Sequence, residues 1–175
     1  MPKWLISFFM KRIDKINYYL NIATECLKRG TCLRRNFGAV IVKNDQILST
    51  GYTGAPRMQK NCIDLGFCIR EKLRVPRGSN YELCRSVHAE MNAIINVSRI
   101  DMLDSTLFLS GIEVSTNEYV KNAKPCKLCR RFIINAGIGK VIVREAHHTY
   151  KEYLTADWIE EDDELLLNGV EINDY

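Results

Sequence analysis

Histidine, proline and tryptophan are scarce in this chain: three, four and two in 175 residues. So few prolines, beside ten glycines, exclude a collagen-like or proline-rich extended architecture. No internal repeat or low-complexity linker breaks the sequence, so residues 1–175 are expected to form one domain with a sizeable core. Long apolar runs are missing as well. The richest stretch, residues 1–10, holds Trp4, Leu5, Ile6, Phe8 and Phe9; it is too short to span a bilayer, and no small-residue cleavage site follows it. Residues 1–9 are therefore expected to be an extension packed on the surface or on a neighbouring subunit, and no membrane association is expected. Positive charge is absent from residues 156–175, which carry eight acidic residues and no Lys or Arg. The formal net charge of +4 thus becomes +12 on residues 1–155. A basic body suits a phosphate-bearing small molecule or a nucleic acid. The acidic tail argues for the small molecule, although by itself it reads as a solvated surface.

With only three histidines, each is informative. His88 opens His88-Ala89-Glu90, and 36 residues after Glu90 comes Cys126-Lys127-Leu128-Cys129, preceded by Pro125. One imidazole and two thiols are three zinc ligands, and three protein ligands leave the fourth tetrahedral position open, as a catalytic site requires. Cys126 and Cys129 fall one turn apart on a helix face. Pro125 suits the start of that helix, read over residues 126–136 and stopped at Gly137. Thiolates in its first turn face the positive end of the helix dipole, which favours metal binding. A second helix is read over residues 88–98, with Ala89, Ala93, Ile94 and Val97 on its apolar side and His88 in its first turn. Glu90 would then line the cavity without ligating. The competing reading is a closed structural zinc site completed by His147 or His148, which would leave Glu90 without a task.

The order H-A-E…P-C-x-x-C is that of zinc-dependent nucleobase deaminases. It is joined by Thr31-Cys32-Leu33-Arg34-Arg35, Phe37-Gly38-Ala39-Val40-Ile41-Val42, Gly51-Tyr52-Thr53-Gly54-Ala55-Pro56 and Asn61-Cys62-Ile63-Asp64. On these stretches, about residues 16–145, the chain resembles the cytidine/deoxycytidylate deaminase superfamily, and within it the deoxycytidylate (dCMP) deaminases. The zinc motifs speak to the reaction, whereas the Gly-Tyr-x-Gly and Asn-Cys-Ile-Asp stretches and the insert at residues 57–87 point to dCMP. The resemblance implies hydrolytic deamination of dCMP to dUMP and ammonia, with zinc-bound hydroxide attacking C4 and Glu90 as proton shuttle. It implies zinc ligation by His88, Cys126 and Cys129, and a hydrogen bond from the Ala89 N–H to the pyrimidine. Asn36, Thr53 and Gly54 would lie by the substrate, with Thr53 where many dCMP deaminases carry Asn. A homo-oligomer, often a hexamer, with dCTP and dTTP as effectors, is also implied.

Seven cysteines would suggest disulfides only in an oxidising compartment, and the metal motif needs free thiolates, so a cytoplasmic protein is expected. Cys32, Cys62, Cys68 and Cys84 are left over around the insert. They could hold a second, structural zinc, as in some dCMP deaminases, or be buried reduced thiols that behave as small hydrophobes. Arg34, Arg35 and Arg57 border segments expected to face the pocket, and arginine forks suit phosphate oxygens. Arg70, Arg74, Arg77 and Arg85 add positive charge within the insert and read as surface residues, so Arg35 and Arg57 are the two expected on phosphate.

Elsewhere a first helix is read over residues 16–29 and strands over 37–43, 46–50, 106–110 and 140–144, with a short strand at 170–172. Asn44-Asp45 marks a hairpin turn, and residues 147–159 read as helix. Near-continuous apolar runs such as Val141-Ile142-Val143 suit strands covered on both faces. The expected fold is α/β, a three-layer α/β/α sandwich around a mixed five-stranded sheet. Other readings are a dCTP or free (deoxy)cytidine deaminase, a polynucleotide-editing deaminase using Tyr52, Tyr81 or Tyr119 as stacking surfaces, and a zinc scaffold without catalysis.

Overall fold

The computed structural model describes residues 12–76 and 79–160. Its helices are α1 (Lys15–Leu27), α2 (Cys62–Leu65), α3 (Ile69–Lys72), α4 (Ala89–Ile94), α5 (Arg99–Met102) and α6 (Lys127–Ala136). Its strands are β1 (Arg35–Lys43), β2 (Gln46–Tyr52), β3 (Thr106–Glu113), β4 (Lys140–Arg144) and β5 (Tyr150–Leu154). They form one sheet in the order β2-β1-β3-β4-β5, parallel between β3 and β4 and antiparallel elsewhere. The parallel pair is joined through α6, the crossover that such pairing requires.

Strand alternation explains the two cores. Ala39 and Ile41 of β1 face a cluster with Ala89, Ala93 and Ile133 from α4 and α6, whereas Val40 and Val42 face Tyr19, Leu20 and Ala23 of α1. Both faces of the central strands are buried, which is why they read as unbroken apolar runs. Two glycines set how closely the outer layers approach. A Cβ on Gly38 would collide with the Ala23 carbonyl oxygen and the Leu27 nitrogen of α1. A Cβ on Gly51 would collide with the Ala89 carbonyl oxygen and the Ala93 nitrogen of α4 on the opposite face. The β1–β2 turn has Asn44 and Asp45 at φ 50° and 65°, the left-handed pair of a tight hairpin.

The largest departure from the sequence reading is at the C-terminal end. Residues 150–154 form the edge strand β5 instead of continuing a helix from 147, and helix begins only at residue 155. Tyr150 packs against the core beneath α1 and Tyr153 against the core on the opposite face of the sheet, with exposed Lys151 and Glu152 between them. The fifth strand of the sheet is thus β5; the strand read at 170–172 lies outside the described residues. The helix read over 88–98 is shorter, ending at Ile94, with Ser98 as N-cap of the separate α5. No described helix is long and apolar enough to cross a membrane.

Arg144, at the end of β4, is fully buried and has no carboxylate partner among the described residues. Its terminal nitrogens donate to Asn17 Oδ1 (3.2 Å), Asn21 Oδ1 (2.7 Å), the Asn17 carbonyl (3.3 Å) and the Ala146 and His147 carbonyls, so it ties α1 to the turn after β4. Replacement by Met should lower the unfolding free energy by roughly 2–4 kcal/mol, because several buried acceptors lose their donor; urea denaturation measures it. Gly38→Ala and Gly51→Ala should each cost roughly 1–3 kcal/mol by overpacking. Only Gly51→Ala, which displaces α4, should also lower the zinc bound per folded chain, read by metal analysis of the folded fraction.

Candidate active site

Two short helices begin at the same place. His88 is the N-cap of α4, with extended backbone (φ −71°, ψ 154°), and Cys126 is the N-cap of α6 (φ −67°, ψ 164°). The sequence reading put both in the first helical turn; the structure sets each one residue earlier, half in and half out of its helix. The Cys126 Sγ accepts the Cys129 N–H at 3.4 Å, so the thiol caps the helix whose next turn carries the second cysteine. Upstream of His88, Val87 and Gly54 exchange backbone hydrogen bonds of 2.8 and 3.2 Å, which pin the approach to α4 against the end of β2. Glu90 sits in the first turn of α4, 5% exposed.

The donor atoms of His88, Cys126 and Cys129 all lie within 4.8 Å of one another. His88 Nδ1 is 3.2 Å from Cys129 Sγ and 3.5 Å from Cys126 Sγ. Tetrahedral zinc with ordinary Zn–N and Zn–S bonds sets nitrogen and sulfur about 3.6 Å apart. The donor set and its spacing therefore fit zinc. His147 and His148 pack on one another, with centroids 5.5 Å apart, and His147 packs edge-on to Tyr119; neither joins the trio.

The charges of the group are already divided. The hydrogen bond from the Cys129 thiol, against the cost of burial, brings the Cys126 thiol down to about 4; His88 and the Cys129 N–H act in the same direction. The same bond and burial push the Cys129 thiol up. Burial alone would lower the His88 imidazole, but the Cys126 hydrogen bond and the charges of Glu90 and Cys126 raise it on balance. Burial pushes the Glu90 carboxyl above the usual carboxylate range, with His88 partly opposing. A carboxyl whose proton affinity is raised by burial holds a proton more readily than an exposed one, as a proton shuttle needs.

His88, Glu90 and Cys126 open into a cavity of about 210 Å³. Thr53 and Arg35, expected at the substrate, line it. The Thr53 hydroxyl accepts the Phe37 N–H at 3.1 Å, and Arg35 Nε donates to Glu113 Oε1 across β1 and β3 at 2.7 Å. Asn36, Gly54, Arg57 and Ala89 are not among the lining residues. Asn36 Oδ1 accepts the Cys32 N–H at 3.0 Å, and Gly54 holds Val87. Arg57 is exposed, 3.5 Å from Asn96 Oδ1. Ala89 is fully buried beneath the site at the start of α4.

Cys32, Cys68 and Cys84 line the cavity, and buried Cys62 lies behind them, 3.8 Å from Ser86 Oγ. Burial raises the Cys62 and Cys84 thiols, and the neighbouring thiols add to it. Among the described residues, His88, Cys126 and Cys129 are the group of three close enough for one metal; the four leftover cysteines form no such group. Of the three tyrosines weighed as stacking surfaces, Tyr81 alone lines the cavity, edge-on to His88 with centroids 5.4 Å apart. Sequence reasoning missed Phe37 and Arg70 as lining residues. Phe37 had a readable signal, since alternation along β1 puts it on the face of Ala39 and Ile41.

The family profile described as the cytidine and deoxycytidylate deaminase zinc-binding region matches residues 13–145. The deoxycytidylate deaminase of Mycobacterium phage D29 is 34% identical over 138 residues, 76% of this chain and 96% of the phage protein. The deoxycytidylate deaminase of Schizosaccharomyces pombe is 26% identical over 75% of this chain, which spans 37% of that longer protein. Among solved structures, the apo dCMP deaminase of cyanophage S-TIM5 superposes with a TM-score of 0.54 at 22% identity, covering 86% of this chain and 94% of that one. That likeness shows the shared fold. The profile covers most of the chain and the phage relative is 34% identical over nearly its whole length, so the chain belongs to the cytidine and deoxycytidylate deaminase family.

Proposed function

We propose that this chain is a zinc-dependent dCMP deaminase, converting dCMP and water to dUMP and ammonia. The observation that carries the reaction is Glu90, a buried carboxyl inside the same cavity as the His88, Cys126 and Cys129 donors. The substrate is supported by relatives named as deoxycytidylate deaminases, one covered over 96% of its length. Zinc held by the three donors supplies Lewis-acid activation of water near neutral pH. The chain's own groups do the rest. Glu90, its proton affinity raised by burial, takes one proton from water and gives it to the ring nitrogen, then takes the proton of the hydroxyl now on C4 and gives it to the departing amine. The family resemblance assigns the Ala89 N–H, which has no intrahelical acceptor at the first turn of α4, as a donor to the pyrimidine. Phe37 and Tyr81 give the cavity aromatic walls that suit a planar base.

The same reading treats the chain as one deaminase domain, in which Cys68, Arg70, Tyr81, Cys84 and Ser86 of the insert wall the cavity and Trp158 belongs to the core. Assembly into a homo-oligomer, and response to dCTP and dTTP, belong to the proposal through the family resemblance.

Assay of cytosine, deoxycytidine, dCMP, dCTP and a short single-stranded DNA should give the highest kcat/KM for dCMP. A preference for DNA would replace the proposal with polynucleotide editing, and one for dCTP or nucleoside would move the substrate. Glu90→Gln should lower kcat by roughly 10²–10⁴-fold while zinc stays bound. Metal analysis should give one zinc per chain. Two per chain would require Cys32, Cys62, Cys68 and Cys84 to regroup around a second ion.

A further inference from the structure

Four cationic side chains line the active-site cavity: Arg34, Arg35, Arg70 and Lys124. Arg34 pairs with Glu71 at 3.2 Å, Arg35 pairs with Glu113, and Lys124 is exposed. Arg70 differs from all three. It is 6% exposed, and no carboxylate pairs with it among the described residues. Its Nη1 donates to the Asn80 carbonyl at 2.5 Å and its Nη2 to the Pro76 carbonyl at 2.9 Å. These bonds fix the plane of the guanidinium and leave its charge uncompensated. A guanidinium has five N–H donors, so donors remain beyond these two bonds. Keeping a cation out of water without a counter-ion is costly, and a cavity wall is where a ligand can supply one. The zinc site cannot, because two thiolates already balance a divalent ion.

Position matters as much as charge. The Arg70 guanidinium lies over the Tyr81 ring, 5.5 Å from its centroid, and the edge of Tyr81 meets His88, centroids 5.4 Å apart. The guanidinium is therefore no more than about 11 Å from the imidazole. That is the order of the span of a nucleoside monophosphate from the amino-bearing carbon of the base to phosphorus. A planar fork held in register suits two phosphate oxygens better than a single ammonium does.

We propose that Arg70, held against Tyr81 by the Pro76 and Asn80 carbonyls, receives the 5′-phosphate of the substrate and makes the site select a monophosphate over a nucleoside. This rests on the reading of the cavity as a cytosine nucleotide site. The insert thereby recognises the substrate as well as walling the cavity, and Tyr81 sets the distance between the two ends.

The test is steady-state kinetics of the zinc-loaded full chain and its Arg70→Lys and Arg70→Gln variants on dCMP and on deoxycytidine. Arg70→Gln should lower kcat/KM for dCMP about 100-fold or more, mainly through KM, while deoxycytidine changes less than about 3-fold and zinc content holds. Arg70→Lys should recover only part of the loss. Equal losses on both substrates would make Arg70 a strut for the insert and overturn the proposal. If both variants misfold, a crystal structure of the unaltered chain with dUMP decides: phosphate oxygens on Arg70 support it, and phosphate bound elsewhere ends it. An unaltered chain that turns over deoxycytidine as well as dCMP would overturn this inference and leave deaminase chemistry standing. One that turns over neither would overturn the functional reading itself.

Discussion

The meeting of two helix N-termini is the constraint on which the site depends. His88 and Cys126 each occupy an N-cap, where backbone must be extended on one side and helical on the other. The cap position fixes the direction of the side chain with little freedom, so the donors come within 4.8 Å without long flexible arms. Cys129 follows one turn into α6 and is buried, and its N–H is satisfied by the Cys126 sulfur. Moving either helix along its axis would break the donor set. The sheet prevents that movement. Gly51 lets α4 lie directly on β2, and the Gly54–Val87 pairing fixes the chain immediately before His88.

Charge is arranged around this geometry. The body is basic, yet two of the four cationic side chains that line the cavity are already neutralised, Arg34 by Glu71 and Arg35 by Glu113. A metal site of zinc and two thiolates is neutral, and Glu90 is buried where the protonated form is favoured. Attraction for an anionic nucleotide therefore comes from a few placed groups more than from a diffuse field, and placed groups can discriminate among ligands of the same charge.

The catalytic half of the site was legible in the sequence because its chemistry needs a rare combination in a fixed order. His88, Glu90, Cys126 and Cys129 could be named from spacing, and the buried strands from their apolar runs. The hairpin could be placed because Asn44 and Asp45 tolerate positive φ. The misses have physical reasons. Tyr150-Lys-Glu-Tyr-Leu154 shows no period of two, because this edge strand is only partly covered, by one tyrosine on each face, and Tyr150 and Tyr153 stand at a helix-like spacing of three. Arg35 looked available for phosphate because its partner Glu113 lies 78 residues away, opposite it in the β1–β3 register. The insert has no period to read. It is built from short turns with Met58, Arg74 and Asn80 at positive φ, and from arginine side chains, Arg70 and Arg85, that bond to backbone carbonyls. Such contacts depend on tertiary closure and leave no pattern in the order of residues.

Two buried arginines that pair with no carboxylate among the described residues show how the same side chain can serve stability in one place and recognition in another. Arg144 is enclosed: Asn17, Asn21 and three carbonyls meet its two terminal nitrogens, and the Tyr119 ring lies 5.8 Å away. Its Nε is left without a partner but is buried, away from the described cavity, and the guanidinium works as a clamp between α1 and the end of β4. Arg70 has two carbonyl partners, an aromatic ring beneath it and a cavity in front. Its bonds fix where the charge stands without satisfying it. Burial by itself therefore does not separate the two roles, nor does an unspent donor, since Arg144 Nε has no partner either; what the guanidinium faces does.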